Sequence, residues 1–161
     1  MATATLTSRA DLITNAKAQW AASEAAVKRA VATGNFAKAG AGTWSAGDTF
    51  RHMIDSAYRF SGLVDGLVKG QAMNLTWDQI HAGNAEGVKK FSQLTPRFIE
   101  VELNTAHGIC WMAMQKLQPV DLEKKVPFAG TEMTIADVVS LLTVAHEQQH
   151  VAEALAAAGA A

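Results

Sequence analysis

Apolar residues along this chain recur at intervals of three and four. After Ser8 they fall at Ile13, Ala16, Trp20, Val27 and Val31, and after Ser45 at Phe50, Met53, Ala57, Phe60, Val64 and Leu67. After Pro96 the stripe is Ile99, Leu103, Ala106, Cys110, Met114 and Leu117; after Thr134 it is Ile135, Val138, Val139 and Leu142, leading toward His146. Such spacing gives each helix one apolar face, and faces of this kind pack on one another. A shorter helix is expected over 77–93, around Trp77, Ile80, Val88 and Phe91.

The same segments carry helix-start signals. Ser8 is followed three residues on by Asp11, Ser45 by Asp48, Thr76 by Gln79 and Thr134 by Asp137. Each pair sets a hydroxyl N-cap against an acidic or amide residue that satisfies the free backbone donors of the first turn. The acidic residues also suit the positive end of the helix dipole. Thr95-Pro96 adds a fifth start, since proline is tolerated at the first helical position.

Gly- and Pro-containing loops separate these segments: TGNFAKAGAGTW, KGQAMN and QPVDLEKKVPFAGTEM. KKVPFAGTEMT is expected to form a small extended turn, because nothing alternates long enough for a sheet. The Ala-rich stretch Ala154 to Ala161 reads as a fraying helix end. No internal repeat is present. The expected fold is all-α, a four-helix bundle with an additional short helix.

Composition narrows this picture. The 161 residues suit one domain spanning 1–161. A net charge of -1, with only short Lys pairs, gives no electrostatic footprint for nucleic acid. A lone cysteine, Cys110, makes no internal disulfide and fits a reducing compartment. It lies in the middle of an apolar stripe with no adjacent cation, which reads as packing rather than as a nucleophile. The start MATATLTSRAD lacks the apolar core of a signal peptide, and no apolar run is long enough for a membrane span. A cytoplasmic protein with no membrane partner is expected.

The candidate chemistry lies in AHEQQHVAEAL, residues 145–155. His146 and His150, four apart, stack on one helix face. That face is the one that carries Ile135, Val139 and Leu142, so both rings are expected to point inward. Two neutral imidazoles side by side in a core need partners for four ring nitrogens, and each unpaired buried polar group costs about 1–3 kcal/mol. A metal ion takes one nitrogen from each ring and leaves the other for an acceptor. The pair therefore favours metal over two core histidines.

His146-Glu147-Gln148-Gln149-His150 matches the H-E-x-x-H of zinc proteases, but the match goes no further. The metzincin pattern demands Gly and His where this chain has Glu153 and Ala156, and no strand-rich half precedes the motif to bind a peptide. A di-iron carboxylate site fails too. Glu147-x-x-His150 finds only Asp78-x-x-His81 as a second match, without the further inward glutamates such sites need. A third ligand must come from upstream. His52, His81 and His107 are the candidates, and each taken alone reads as a partly exposed or flank histidine. Spacing does not choose among them.

Trp44-Ser45 opening a helix that contains His52, followed late in the chain by a Gly-containing loop and AGTEMTIADVVSLLTVAHEQQHVAEAL, resembles the DinB-like superfamily. The resemblance runs over nearly the whole chain in helix order. It implies a four-helix bundle with a metal held by His52, His146 and His150, and it leaves His81 and His107 outside the site. Glu147 lies about 100° around the helix from His146, which makes its protease match incidental; Glu153, three residues beyond His150, is read as inward, either orienting a ligand ring or only sitting near the bundle rim.

Three neutral imidazoles leave a divalent ion its full charge and open positions, a catalytic rather than a structural arrangement. Zinc and nickel both suit such ligands. The resemblance, whose characterised members include bacillithiol S-transferases and mycothiol-dependent maleylpyruvate isomerase, implies a thiol S-transferase acting on a small molecule. A metal-dependent hydrolase and a non-catalytic metal-binding module are the alternatives. A thiol substrate needs donors near the metal, and Arg51, Arg59 and Gln149 lie close enough in sequence to serve. Relatives often pair, and apolar Trp, Met and Phe residues beyond the core add to the expectation of a homodimer.

Overall fold

The computed structural model describes residues 8–39, 44–71 and 77–160. The Thr76 start signal and parts of the first two expected loops lie outside them. The chain forms helices α1 (Arg9–Ala32), α2 (Ala46–Val68), α3 (Trp77–Lys90), α4 (Pro96–Met114) and a single turn α5 (Pro119–Leu122). Strands β1 (Lys125–Phe128) and β2 (Thr131–Thr134) come next, then α6 (Ile135–Ser140), a π turn over Leu141–Ala145 and α7 (His146–Ala158). The expected mainly helical architecture is what the chain adopts. α1 and α2 each pack against both α4 and α7, and α3 lies on the outside of α2.

The caps form as their residues dictate. Ser8 and Ser45 each accept from the backbone N–H three residues on, while Asp11 and Asp48 reach back to the cap's own N–H. Thr134 accepts from the Asp137 N–H at 3.1 Å. Thr95 makes no side-chain cap, and Pro96 alone opens α4. Every residue of the expected α2 and α4 stripes is buried, and they form the centre of one apolar cluster. On α1 the stripe drifts: Leu12 and Ala30 are buried where Ile13 and Val31 were expected, and Val31 is exposed. The large apolar residues outside the core concentrate on α4, where Phe98, Val101, Trp111 and Met112 are exposed.

Two expectations are corrected. KKVPFAGTEMT is a true antiparallel hairpin, with Lys125 opposite Thr134 and Phe128 opposite Thr131. Its two-residue turn holds both Ala129 (φ 48°) and Gly130 (φ 84°) in the left-handed region, the turn that matches strand twist. Four-residue strands are too short to show alternation, yet Val126 and Phe128 alternate inward onto the core. The Ala-rich stretch is also not frayed over its described residues, 154–160. Gly159 ends α7 at φ 70°, the Ala160 N–H returns to the Leu155 carbonyl, and Arg29 and Asn35 of the α1 end donate to the carbonyls of Ala160 and Ala158.

Between α6 and α7 the helix takes an extra residue in one turn. The His146 N–H bonds to the Leu141 carbonyl, five residues back, and the Thr143 hydroxyl donates to the Val139 carbonyl at 2.8 Å. One inserted residue rotates everything downstream by about 100°. The buried line therefore runs Ile135, Val139, Thr143, Glu147, Ala154, with Leu142 and His146 moved to its flank. Glu147, not His146, is the inward residue of the motif.

Candidate metal centre

The rotation turns His146 and His150 toward α2, whose second turn presents His52. That ring is fully buried rather than on the flank of its helix, and His146 and His150 are half-buried beside it. The three Nε2 atoms converge: His52 to His146 is 3.1 Å and His150 to His146 is 3.2 Å. Tetrahedral ligands about 2.0–2.1 Å from an ion lie about 3.4 Å apart, and ligands at right angles about 2.9 Å. The observed separations fall between these limits. These three side chains can hold a metal ion.

Hydrogen bonding alone does not account for the cluster. A neutral imidazole Nε2 carries either one proton or one lone pair. His146 Nε2 faces two other Nε2 atoms and satisfies only one of them in either form, while the Ser56 hydroxyl lies 3.5 Å from His52 Nε2, at the limit of a hydrogen bond. A cation accepts all three lone pairs at once. Protonation is also disfavoured: burial, then His150, His146 and the Arg59 guanidinium, push His52 down to about 2, and burial and His150 push His146 down to about 4. Both rings are neutral near pH 7, the form in which imidazole is a ligand.

The outer contacts differ from ring to ring. His150 Nδ1 donates to Glu153 Oε2 at 2.7 Å, which leaves its Nε2 lone pair for the centre. Glu153 itself is half exposed at the rim rather than inward. Burial opposes its ionisation, but hydrogen bonds from Gln149 and His150 outweigh that and hold the carboxyl below the usual range. His52 Nδ1 is buried without a hydrogen-bond partner among the described residues, and its ring packs 5.0 Å from that of Trp44.

The remaining candidates take other roles. His81 is exposed on α3. His107 is not a surface or flank histidine: it is buried, stacked 5.1 Å from Trp20, with Nε2 2.9 Å from Glu147 Oε1 and Nδ1 3.2 Å from Glu24 Oε1. Glu147 also accepts from Ser23 Oγ at 2.6 Å, so its carboxylate faces α1 and α4 and stays off the three-histidine centre. Arg51 is spent on the Phe91 and Leu94 carbonyls and on Asp48. Arg59 binds Asp55 and the Gly83 carbonyl, and Gln149 binds Glu153. Cys110 is a buried packing residue, its thiol pushed up by burial and by Glu147. No helix of the described residues is long and apolar enough to cross a membrane.

Comparison with protein-family models, curated proteins and solved structures finds no match to this chain.

Proposed function

We propose that this chain is a DinB-like protein that binds one divalent transition metal, zinc or nickel, through His52, His146 and His150, and that it transfers a low-molecular-weight thiol to an electrophilic small molecule. The observation that carries the metal reading is the convergence of three Nε2 atoms at 3.1 and 3.2 Å. An ion there supplies Lewis acidity that favours thiolate over thiol near neutral pH. The chain's own part is to hold three lone pairs together and to fix the His150 tautomer through Glu153. It also walls the site with the Trp44 ring. In the transfer, the thiolate sulfur forms the new C–S bond while the electrophile's leaving group departs with its electron pair; the thiol proton goes to solvent.

The hydrolase alternative needs a carboxylate base beside a bound water. Glu147 is held by Ser23 and His107, and Glu153 is turned to His150 Nδ1, the ring edge away from Nε2. Neither carboxylate is positioned as that base, which favours thiol chemistry. The test begins with elemental analysis of untagged protein, expected to give about one zinc or nickel per chain. The loaded protein is then supplied with an aryl halide and each cellular thiol, with activated-ester hydrolysis followed in parallel. Thiol-dependent conjugation that vanishes in His146→Ala supports the proposal. Thiol-independent ester hydrolysis replaces it with the hydrolase. Tight metal binding without turnover leaves a binding module.

A further inference from the structure

We propose that Glu147 is a positioning residue for the three-histidine centre, acting as a buried peg that sets the rotation of α7. The inference rests on the metal-site reading above and adds to it the device that brings the ligands into register. A helix carrying two ligands four residues apart has one rotational setting in which both face a third ligand on a neighbouring helix. A change of one residue, about 100°, turns them away. Apolar packing specifies that setting through few side chains, because of the buried residues Thr143, Glu147, Ala154, Leu155 and Ala158 only Leu155 is large and apolar.

The Glu147 carboxylate supplies what the packing does not. Its two oxygens reach two different helices, Oε2 to the Ser23 hydroxyl of α1 and Oε1 to His107 Nε2 of α4. Both partners are themselves fixed. Ser23 Oγ also accepts from Gln19 Nε2 at 3.3 Å, and His107 is held by the Trp20 ring and Glu24. All of Ser23, His107 and Glu147 are buried, so no water replaces a partner if the helix turns. α7 is thus fastened on two sides away from α2, and the side about 100° round is left facing His52. The π turn completes the device: it supplies the extra residue that brings Glu147, rather than His146, to the inward line.

The experiment measures Zn²⁺ affinity by competition with a chromophoric chelator, the d–d spectrum of the Co²⁺-loaded protein, and cooperative melting of the metal-free protein. Wild-type protein is expected to bind and His146→Ala to lose binding. A wild-type protein that does not bind overturns the metal reading itself. Glu147→Leu, of similar size but unable to bridge, is expected to weaken binding about tenfold or more and to alter the Co²⁺ spectrum. Glu147→Gln is expected to restore both, because its carbonyl accepts from Ser23 and its amide donates to His107. Wild-type affinity and spectrum in a folded Glu147→Leu overturns the proposal while the metal reading stands. Equal losses in Glu147→Gln and Glu147→Leu also overturn it, since charge rather than geometry then matters. If Glu147→Leu melts without cooperativity, Ser23→Ala decides: a roughly threefold loss with a changed spectrum supports the peg, and wild-type values overturn it.

Discussion

A single histidine and a cluster of three meet at the His146-Glu147 pair and are built on opposite logic. At His107 each ring nitrogen faces a carboxylate, Glu147 on one side and Glu24 on the other. That ring ties α4 to α1 and α7. At His52, His146 and His150 the Nε2 atoms face one another. Both groups are buried or half-buried and both use the H-E pair at 146–147. Burial of a histidine is therefore no guide to its role. What distinguishes a metal candidate is ring nitrogens that converge on one another rather than on carboxylates.

The contrast can be broken or sharpened by measurement. The largest expected effect is on the pH dependence of the metal-free protein. His52 and His146 titrate near 6.5 when unfolded but only at about 2 and about 4 when folded. Below pH 6.5 the unfolded chain binds more protons, so stability is present above that pH and is lost as pH falls toward 4. The loss is on the order of 5 kcal/mol across that window, at about 1.4 kcal/mol per unit per ring. Urea melts from pH 7.5 to 4 check it; a flat profile contradicts two neutral rings in the metal-free site.

Next, His52→Ala or His150→Ala should weaken Zn²⁺ binding roughly 1,000-fold, about 4 kcal/mol, with the metal-free melting temperature little changed. His107→Ala should instead cost chiefly stability, with only the few-fold loss of affinity expected from removing one anchor of Glu147. Removing a partner from the buried Glu147 carboxylate costs about 3 kcal/mol in urea unfolding, with metal stoichiometry retained. If His107→Ala abolishes metal uptake and His52→Ala does not, the two groups have been assigned the wrong way round. The smallest effect is expected for Glu153→Gln, which weakens the acceptor on His150 Nδ1. About a tenfold loss of Zn²⁺ affinity is expected by titration.

The legible parts of the sequence were those in which one period governs a whole helix. The stripes of α2 and α4 came out residue for residue, and the Ser8, Ser45 and Thr134 caps formed as read. The π turn was hidden because LLTVA carries no Gly, Pro or charge to mark it. A straight helix therefore put His146 where Glu147 sits. His107 was misread because a histidine at the edge of an apolar stripe looks exposed. Its signal lay elsewhere: Gln19 and Ser23, four apart on the inner side of α1, are polar residues in an apolar line and imply a polar partner across the bundle. The hairpin escaped because four residues are too few to establish alternation. The arginines offered as thiol donors were near in sequence, but sequence proximity says nothing of the carbonyls of Phe91, Leu94 and Gly83 that take up their N–H groups.

The irregular turn before α7 also has a consequence in time. The His146 amide closes a five-residue hydrogen bond, a pattern that is rare and weaker than the regular helical one. The segment 141–146 is thus where local opening of this helix should cost least, and its amides should exchange with solvent sooner than those of α2 or α4. A ligand on the imidazole of the same residue acts as a splint across that weak turn. Exchange at 141–146 is expected to slow more than elsewhere when Zn²⁺ is added, and peptide-resolved deuterium uptake with and without the ion reads it directly.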